Sequence, residues 1–112
     1  MDLLRRGEIR WYRFAAPDKQ RPVLLLTRSE AIESLNEIIV APVTRTIRGL
    51  PTEVLLTADD GVPVTCALNF DHVALAQRSR LGARMAALDP ARWPEVERAL
   101  LTACGFVSDA PR

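Results

Sequence analysis

The sequence predicts a mainly β domain, built as a small curved or barrel-like antiparallel sheet with one helix at its C-terminal end. Short apolar runs rich in Val, Leu and Ile recur between turn residues through the first three quarters of the chain, and the clearest helical pattern lies in the last quarter. With 112 residues, the chain has a common single-domain size and is too short for two ordinary domains. Many short strands followed by a terminal helix favour a curved or barrel-like sheet with the helix packed at its edge.

Seven segments have the composition of β-strands. Residues 7–14 alternate between apolar and polar side chains, with Ile9 and Trp11 on one side. Residues 22–27 and 37–43 are nearly continuous runs of Val, Leu and Ile, which is typical of central strands covered on both faces. Four shorter strands, separated by turn residues, are predicted at 52–56, 65–70, 73–76 and 83–87.

Two helical segments are predicted. Residues 29–35 indicate a short helical crossover between two strands. In the last element, Asp89 is placed to cap a helix with Pro90 at its first position, and Gly105 is placed to end it. Pro94 removes one backbone donor and can shift the true start of the helix by a few residues. The apolar residues at helical spacing are Trp93, Val96, Leu100, Leu101 and Cys104.

Composition excludes several classes of protein. Apolar residues make up 48% and charged residues 26%, which excludes disordered, collagen-like and coiled-coil chains. No apolar run approaches 18 residues and residues 1–6 lack the apolar stretch of a signal peptide, so we expect a soluble, cytoplasmic protein. Cys66 and Cys104 have neither the number nor the spacing of a disulfide framework or zinc site, and we expect both to be reduced core residues. A single histidine, His72, excludes a histidine pair within one protomer.

The basic residues are informative through their type and position. The formal net charge is only +1, so a general electrostatic field for nucleic acid is absent. Of the 15 basic residues only Lys19 is a lysine. Arginine binds phosphate bidentately through its planar guanidinium, but a GC-rich genome that favours arginine codons also explains such a bias. Local clustering of arginines is therefore better support for phosphate binding than their number.

One such cluster follows the third predicted strand. Residues 40–51, VAPVTRTIRGLP, change within a few positions from an apolar run to hydroxyls and guanidiniums, a combination suited to binding phosphate. A further arginine, Arg21, stands before Pro22 at the entrance of the second strand. Because a residue before proline is biased away from helical geometry, we expect the Arg21 side chain to emerge at that strand entrance.

Together with residues 6–11, RGEIRW, and 78–81, RSRL, these segments resemble the MazF (PemK-like) family of toxin endoribonucleases from about residue 6 to 105. The resemblance implies a compact SH3-like or CcdB-like barrel that cleaves single-stranded RNA without a cofactor. It also implies a homodimer that is silenced by an antitoxin protein.

The resemblance assigns the two catalytic positions to Arg21 and Thr44. A guanidinium stays protonated, so Arg21 would stabilise negative charge on the phosphate rather than remove a proton, which leaves the general base unassigned. A threonine hydroxyl can donate to a phosphoryl oxygen without being ionised. Taken without the resemblance, Arg21 reads as an exposed residue beside a turn and Thr44 as a turn or strand-pairing residue.

The RNA-binding residues implied are Arg45, Thr46, Arg48, Lys19, Gln20, His72 and Trp11. Thr46 is also a possible substitute for Thr44 in catalysis. Two segments depart from the family pattern: residues 71–73 read DHV where related toxins commonly have Asp-Gln and an apolar residue, and the loop at 15–20 is short. His72 fits either proton transfer and base stacking or a structural role. Among Trp11, Tyr12 and Phe14, some can stack on bases, and at least one is expected in the core.

The acidic residues lead to an expectation about the reaction. They are scattered, with none in a ligand-like spacing beside the Arg21 and Thr44 segments, so no two-metal site is predicted. The nearest nucleophile is then the 2′-hydroxyl of the RNA, which gives a 2′,3′-cyclic phosphate and a 5′-hydroxyl. Two other functions compete: a CcdB-like gyrase poison without catalysis, which typically ends in Trp-Gly-Ile where this chain ends FVSDAPR, and a non-cleaving RNA-binding module.

Overall fold

The structure, a computed structural model, describes residues 3–15 and 19–107. The predictions that concern residues 1–2, 16–18 and 108–112 lie outside these ranges, including the middle of the short loop before Arg21 and most of the C-terminal sequence. Seven strands and one α-helix follow in chain order: β1 (Glu8–Tyr12), β2 (Arg21–Leu25), β3 (Glu37–Thr44), β4 (Glu53–Leu56), β5 (Cys66–Asn69), β6 (Ala74–Gln77), β7 (Arg84–Ala87) and α1 (Trp93–Ala103). All seven predicted strands are confirmed, with bounds that differ by one or two residues at most ends.

The strands form an antiparallel sheet in the order β4-β5-β3-β2-β1-β7, with β6 also paired to β3. Strand β3 is shared by two ladders: residues 37–40 pair with β6 and residues 43–44 pair with β5, while β2 pairs along the opposite edge. The sheet therefore curves around β3. Within the described ranges no ladder joins β4 to β7, so the mainly antiparallel β class with a C-terminal helix is confirmed in the form of a half-barrel.

Apolar residues cover both faces of β2 and β3, as their continuous Val, Leu and Ile runs predicted. One cluster includes Ile9, Leu24 and Ala41 and is covered by Val96 and Ala99 of α1. The second lies on the opposite face, and its buried members are Tyr12, Val23, Leu25, Ile32, Ile38, Val40 and Ala76. Tyr12 is thus the core aromatic residue expected in the first strand, and its hydroxyl accepts a hydrogen bond from the Gln77 amide at 3.0 Å.

A buried ion pair in β1 was not predicted. Glu8 and Arg10 are only 5% and 6% exposed, and the Arg10 Nε donates to Glu8 Oε1 at 3.0 Å. Arg10 also donates to the Gly82 carbonyl, which ties β1 to the segment before β7. Burial acts to raise the pKa of Glu8, but hydrogen bonds from the Arg10 side chain and the Arg5 amide, with the charges of Arg10 and Arg84, outweigh it and hold the pKa below its ordinary value.

The prediction of a helical crossover at 29–35 is wrong. The segment consists of turns in which the Ala31 amide donates to the Arg28 carbonyl and the Ser34 and Leu35 amides donate to the Ala31 carbonyl. So short a segment cannot offset the cost of nucleating a helix, and burial of Ala31 and Ile32 holds it in place instead. Since β2 and β3 are antiparallel neighbours, the segment is a connection at one end of the sheet and not a crossover.

The terminal helix starts later than Asp89 and Pro90 indicate. The Asp89 carboxylate accepts from the Ala91 amide at 2.9 Å, but this cap begins a single 3₁₀ turn, Pro90–Arg92. The α-helix proper begins at Trp93, with Pro94 in its first turn, where a proline removes no intrahelical hydrogen bond. The shift expected from Pro94 is therefore confirmed. At 11 residues, α1 is the one α-helix in the described ranges, and no helix there is long and apolar enough to cross a membrane.

Gly105 ends α1 as predicted. Its φ of +83° allows its amide to donate to the Thr102 carbonyl, and the Phe106 amide donates to the Leu101 carbonyl. This reversal leaves Cys104 exposed at the helix terminus, so the prediction of a core position for Cys104 is wrong. The same prediction is confirmed for Cys66, a free thiol that is buried in β5.

Candidate functional site

The fold brings Arg21 and Thr44 together. Arg21 is the first residue of β2 and Thr44 the last residue of β3, and antiparallel pairing places the start of one strand beside the end of the other. The ladder ends with Val23 paired to Pro42, and Arg21 and Thr44 each lie two residues beyond this pair at the same end of the two strands. The two residues predicted from separate sequence segments therefore meet at one end of the sheet.

Two surface grooves meet at this point. The larger has a volume of about 450 Å³ and the smaller about 210 Å³, and Arg21, Val43 and Thr44 line both. Along the larger groove lie Trp11, Lys19, Gln20 and Arg45. Along the smaller lie Thr46, Arg48 and His72. All nine predicted site residues thus line one groove or the other, with Arg21 and Thr44 at the junction.

The basic side chains of the grooves are exposed and unpaired within the described ranges. No side-chain hydrogen bond or ion pair to another described residue is made by four of them: Lys19, Arg21, Arg45 and Arg48. Arginines elsewhere are used by the fold: Arg10 pairs with Glu8, Arg78 with Glu33, and Arg92 with Asp60 and Glu95. The groove arginines therefore keep their donors free for an anionic ligand.

Thr44 is positioned by a hydrogen bond of its own. Its Oγ1 accepts from the Thr46 amide at 3.1 Å, a turn that closes the chain directly after β3. Thr44 is half-buried, while Thr46 is exposed. Because the hydroxyl oxygen accepts from the backbone, its proton remains available for donation toward the groove. Thr44 is both a turn residue and a groove residue, so the two interpretations of it are compatible.

His72 lies at the rim of the smaller groove, at the end of the 3₁₀ turn Phe70–His72. Buried Phe70 anchors this turn, and the Asn69 side chain caps it by accepting from the Asp71 amide at 3.0 Å. The Thr52 hydroxyl also donates to the Asp71 carboxylate at 2.7 Å. The imidazole itself is exposed and makes no hydrogen bond to a described residue, which favours a ligand-facing role over a buried structural one.

Glu53 and Asn69 are groove residues that the sequence did not reveal. They are cross-strand partners on β4 and β5, and both line the smaller groove. The Glu53 carboxylate accepts from the amides of Arg48 at 3.1 Å and Leu50 at 3.2 Å, so it holds the loop that carries Arg48. Glu53 is thus an acidic residue that the fold brings near the Arg21 and Thr44 segments, although not in a ligand-like spacing, and the absence of a two-metal site stays a prediction. Only the pairing of β4 with β5 places Glu53 and Asn69 side by side, and this pairing cannot be read from the sequence.

The wall of the larger groove is apolar. It consists of Val62, Pro63, Val64, Met85 and the half-buried Trp11. Such a wall beside cationic side chains suits a ligand that alternates flat apolar faces with negative charge. Burial chiefly, and then the charge of Asp60, raise the pKa of the Cys66 thiol against the opposing charge of Arg45, so this groove cysteine stays protonated and unreactive.

Metal ligands are not clustered here. In the part of the chain that the structure describes, no group of three or more His, Cys, Asp or Glu side chains is arranged to hold a metal ion. Among the described residues that line the smaller groove, the one carboxylate is that of Glu53, and it already accepts hydrogen bonds from two backbone amides. The chemistry that the described side chains offer is therefore hydrogen-bond donation and positive charge.

The sequence and the fold are both similar to those of known toxins. Residues 5–103, which include every residue lining the two grooves, match the family described as PemK-like, MazF-like toxin of type II toxin-antitoxin system. Probable endoribonuclease MazF2 of Mycobacterium tuberculosis is 39% identical over 103 residues, which cover 91% of this chain and 99% of that protein. M. tuberculosis toxin MazF-mt6 has a similar structure, with a TM-score of 0.82 at 31% identity over 90% of this chain and 99% of that one. The crystal structure of MazE-MazF (Form-III) from Deinococcus radiodurans gives a TM-score of 0.74 at 28% identity, covering 90% and 95%.

Proposed function

Because the chain belongs to the PemK-like, MazF-like toxin family of type II toxin-antitoxin systems, we propose that it is an endoribonuclease toxin that cleaves single-stranded RNA. The observation that carries the proposal is the meeting of Arg21 and Thr44 at the junction of two grooves whose basic side chains have no partner among the described residues. We assign catalysis to these two residues. Similar proteins are named endoribonucleases, which supports the reaction class.

In the proposed reaction the RNA supplies its own nucleophile. The ribose 2′-hydroxyl loses its proton, its oxygen bonds to the adjacent phosphorus, and the bond from phosphorus to the 5′-oxygen breaks, with a proton delivered to the leaving oxygen. Negative charge grows on the non-bridging oxygens during this exchange. The Arg21 guanidinium and the Thr44 hydroxyl stabilise that charge by donating hydrogen bonds to those oxygens. The products are a 2′,3′-cyclic phosphate and a 5′-hydroxyl.

The remaining groove residues bind the RNA on both sides of the scissile phosphate. Lys19, Gln20 and Arg45 hold backbone phosphates along the larger groove, where Trp11 offers a surface for base stacking. Thr46, Arg48 and His72 contact the chain along the smaller groove. The two grooves together thus take several nucleotides, with the reacting phosphate at their junction.

A cleavage assay with two chemical controls tests this function. Purified protein should cut single-stranded RNA in excess EDTA, because no step requires a metal-bound water. The same RNA with one 2′-deoxy sugar at the scissile position should bind and resist cutting, since the nucleophile is missing. Activity lost on chelation and restored by magnesium, or cleavage of the deoxy substrate, would contradict the mechanism. A gyrase poison or a non-cleaving RNA-binding module would leave all of these RNAs intact.

We also propose that the toxin acts in the cytoplasm as a homodimer that a cognate antitoxin silences. Membership in a toxin-antitoxin family supports the antitoxin, which we expect to lay an extended acidic or amphipathic segment along the same grooves and to compete with RNA. A two-fold axis is the commonest symmetry for a small oligomer. Light scattering should give twice the protomer mass of 12.4 kDa at micromolar concentration, and a monomer would contradict the dimer.

A further inference from the structure

The smaller groove contains the carboxylate of Glu53, a negative charge that is unfavourable on a surface that binds only phosphate. Glu53 accepts a hydrogen bond from the Arg48 amide and lines this groove together with Arg21 and Thr44. A carboxylate repels a phosphate and accepts hydrogen bonds from base N–H groups. The polar wall formed by Glu53 and its cross-strand partner Asn69 therefore suits a base edge rather than the RNA backbone.

The hydrogen bonds of Glu53 leave one oxygen for a ligand. Its Oε1 accepts from the Arg48 and Leu50 amides at 3.1 and 3.2 Å, whereas Oε2 makes only a longer contact of 3.4 Å with the Arg48 amide. A carboxylate offers about four acceptor positions. The Oε1 atom thus anchors the loop, and Oε2 keeps capacity to accept from a base.

Asn69 complements this acceptor with a donor. Its Oδ1 accepts from the Asp71 amide at 3.0 Å, which fixes the amide orientation and leaves its NH₂ group without a described partner. Side by side on paired strands, Glu53 and Asn69 present an acceptor next to a donor. That pattern matches a base on which an amino group adjoins a ring nitrogen acceptor, as in cytosine and adenine, or on which N–H donors adjoin a carbonyl, as in guanine.

We propose that Glu53 and Asn69 form a base-recognition site that selects an amino-bearing base over uracil at one position next to the scissile phosphate. Uracil also presents an N–H beside a carbonyl, but it has no amino group and that N–H lies between two carbonyl oxygens. When Asn69 donates to one of these oxygens, the other lies against the Glu53 carboxylate, which repels it. The inference rests on the proposed RNA cleavage and names the substrate feature that the smaller groove reads.

The test uses RNAs that differ only at the two positions flanking the cleaved bond. For wild type, replacing the preferred base by uracil at one of these positions should slow cleavage by about tenfold or more, the scale of one good polar contact to a base. Deleting only the amino group, as with inosine for guanosine or 2-pyrimidinone for cytosine, should have a similar effect. Uracil preferred or tolerated equally at both positions would overturn the proposal, while intact RNA throughout would overturn the proposed function itself.

The Glu53→Gln variant separates base reading from loop anchoring. Its single carbonyl oxygen can still accept from the Arg48 and Leu50 amides, and its NH₂ group replaces Oε2 toward the base. The preference should then shrink by about tenfold or reverse toward uracil, whose carbonyl oxygens accept from that NH₂ group. Glu37→Gln, the same change at an exposed site outside both grooves, should keep the wild-type preference.

A second variant guards against misfolding of the first. Asn69→Asp keeps the oxygen that accepts from the Asp71 amide and removes the NH₂ donors, so it should also lose discrimination. For each variant, the cleavage rates of the different RNAs are expressed as ratios to one another. A smaller fraction of active protein lowers all of these rates equally and leaves the ratios unchanged. If both variants slow cleavage of every substrate by the same factor, Glu53 and Asn69 only position the loop and the proposal fails.

Discussion

Replacing Arg21 by alanine removes a cation from the junction of the grooves without removing a structural contact. The side chain is exposed and has no described partner, and the pairing of its backbone with Tyr12 does not depend on the side chain. We therefore expect the free energy of unfolding to change by no more than about 0.5 kcal/mol, as for other surface substitutions. In a domain of this size that corresponds to a change in Tm of about 2–4 °C at most.

The effect on cleavage should be far larger. Removal of one preorganised donor to a developing oxyanion lowers kcat by about 10² to 10³, equivalent to about 2.7–4 kcal/mol. Because Arg21 is exposed and water weakens its interaction with the phosphate, we expect a value near 10². Arg21→Lys should fall between wild type and alanine, since it keeps the charge and loses the planar pair of donors.

Single-turnover cleavage of an end-labelled RNA measures this effect, with thermal unfolding of each variant followed by circular dichroism. Arg28→Ala is the matched control, because Arg28 is an exposed arginine in the turn after β2 and lines neither groove. Arg28→Ala should cleave at the wild-type rate. A near wild-type rate for Arg21→Ala would refute the assignment, and so would a slow rate accompanied by a loss of Tm well beyond that of the control.

Two further predictions concern single side chains. Thr44→Val should slow cleavage by about 10² while Thr44→Ser, which keeps the hydroxyl, stays within about tenfold of wild type; if Thr46→Val has the larger effect in the same assay, the donor is Thr46. Glu8 has a lowered pKa in the folded state, so it stabilises the fold above its unfolded value of 4.5 and this contribution is lost as pH falls through the lower folded value. The difference in unfolding free energy between wild type and Glu8→Gln, measured in urea, should therefore shrink as pH falls below about 5, and a difference independent of pH would contradict it.

The parts of the fold predicted from sequence are those fixed by local pattern. Continuous apolar runs identified β2 and β3 because both faces of these strands are buried, and Gly105 defined the end of α1 through backbone chemistry alone. Asp89 and Pro90 placed the start of α1 one 3₁₀ turn too early, a shift that Pro94 had indicated. Residues 29–35 were misjudged because a helical composition does not show whether tertiary packing will stabilise so short a helix.

The candidate site divides in the same way. Arg21 and Thr44 were assigned through the family resemblance, from Arg21-Pro22 at the start of one strand and Ala-Pro-Val-Thr at the end of the next, and the structure brings the two residues together. Glu53 and Asn69 could not be found, because their relation exists only through the register of β4 with β5, and sixteen positions separate them along the chain. Likewise, Glu8 and Arg10 can both be buried because they form an ion pair on the same face of β1. A hydropathy scale that scores each residue by itself does not predict this burial.

The division of the site between strand ends and surrounding segments bears on how such an enzyme can diversify. Arg21 and Thr44 are carried by backbone that the central ladder fixes, whereas the groove walls come from the loop after β3, the paired ends of β4 and β5, and residues 62–64. If the proposed assignments hold, substitutions in those walls alter which RNA is recognised while the proposed catalytic pair stays in register. Duplicated copies of one gene can therefore acquire different targets with the same chemistry, and the walls are the place to redesign specificity.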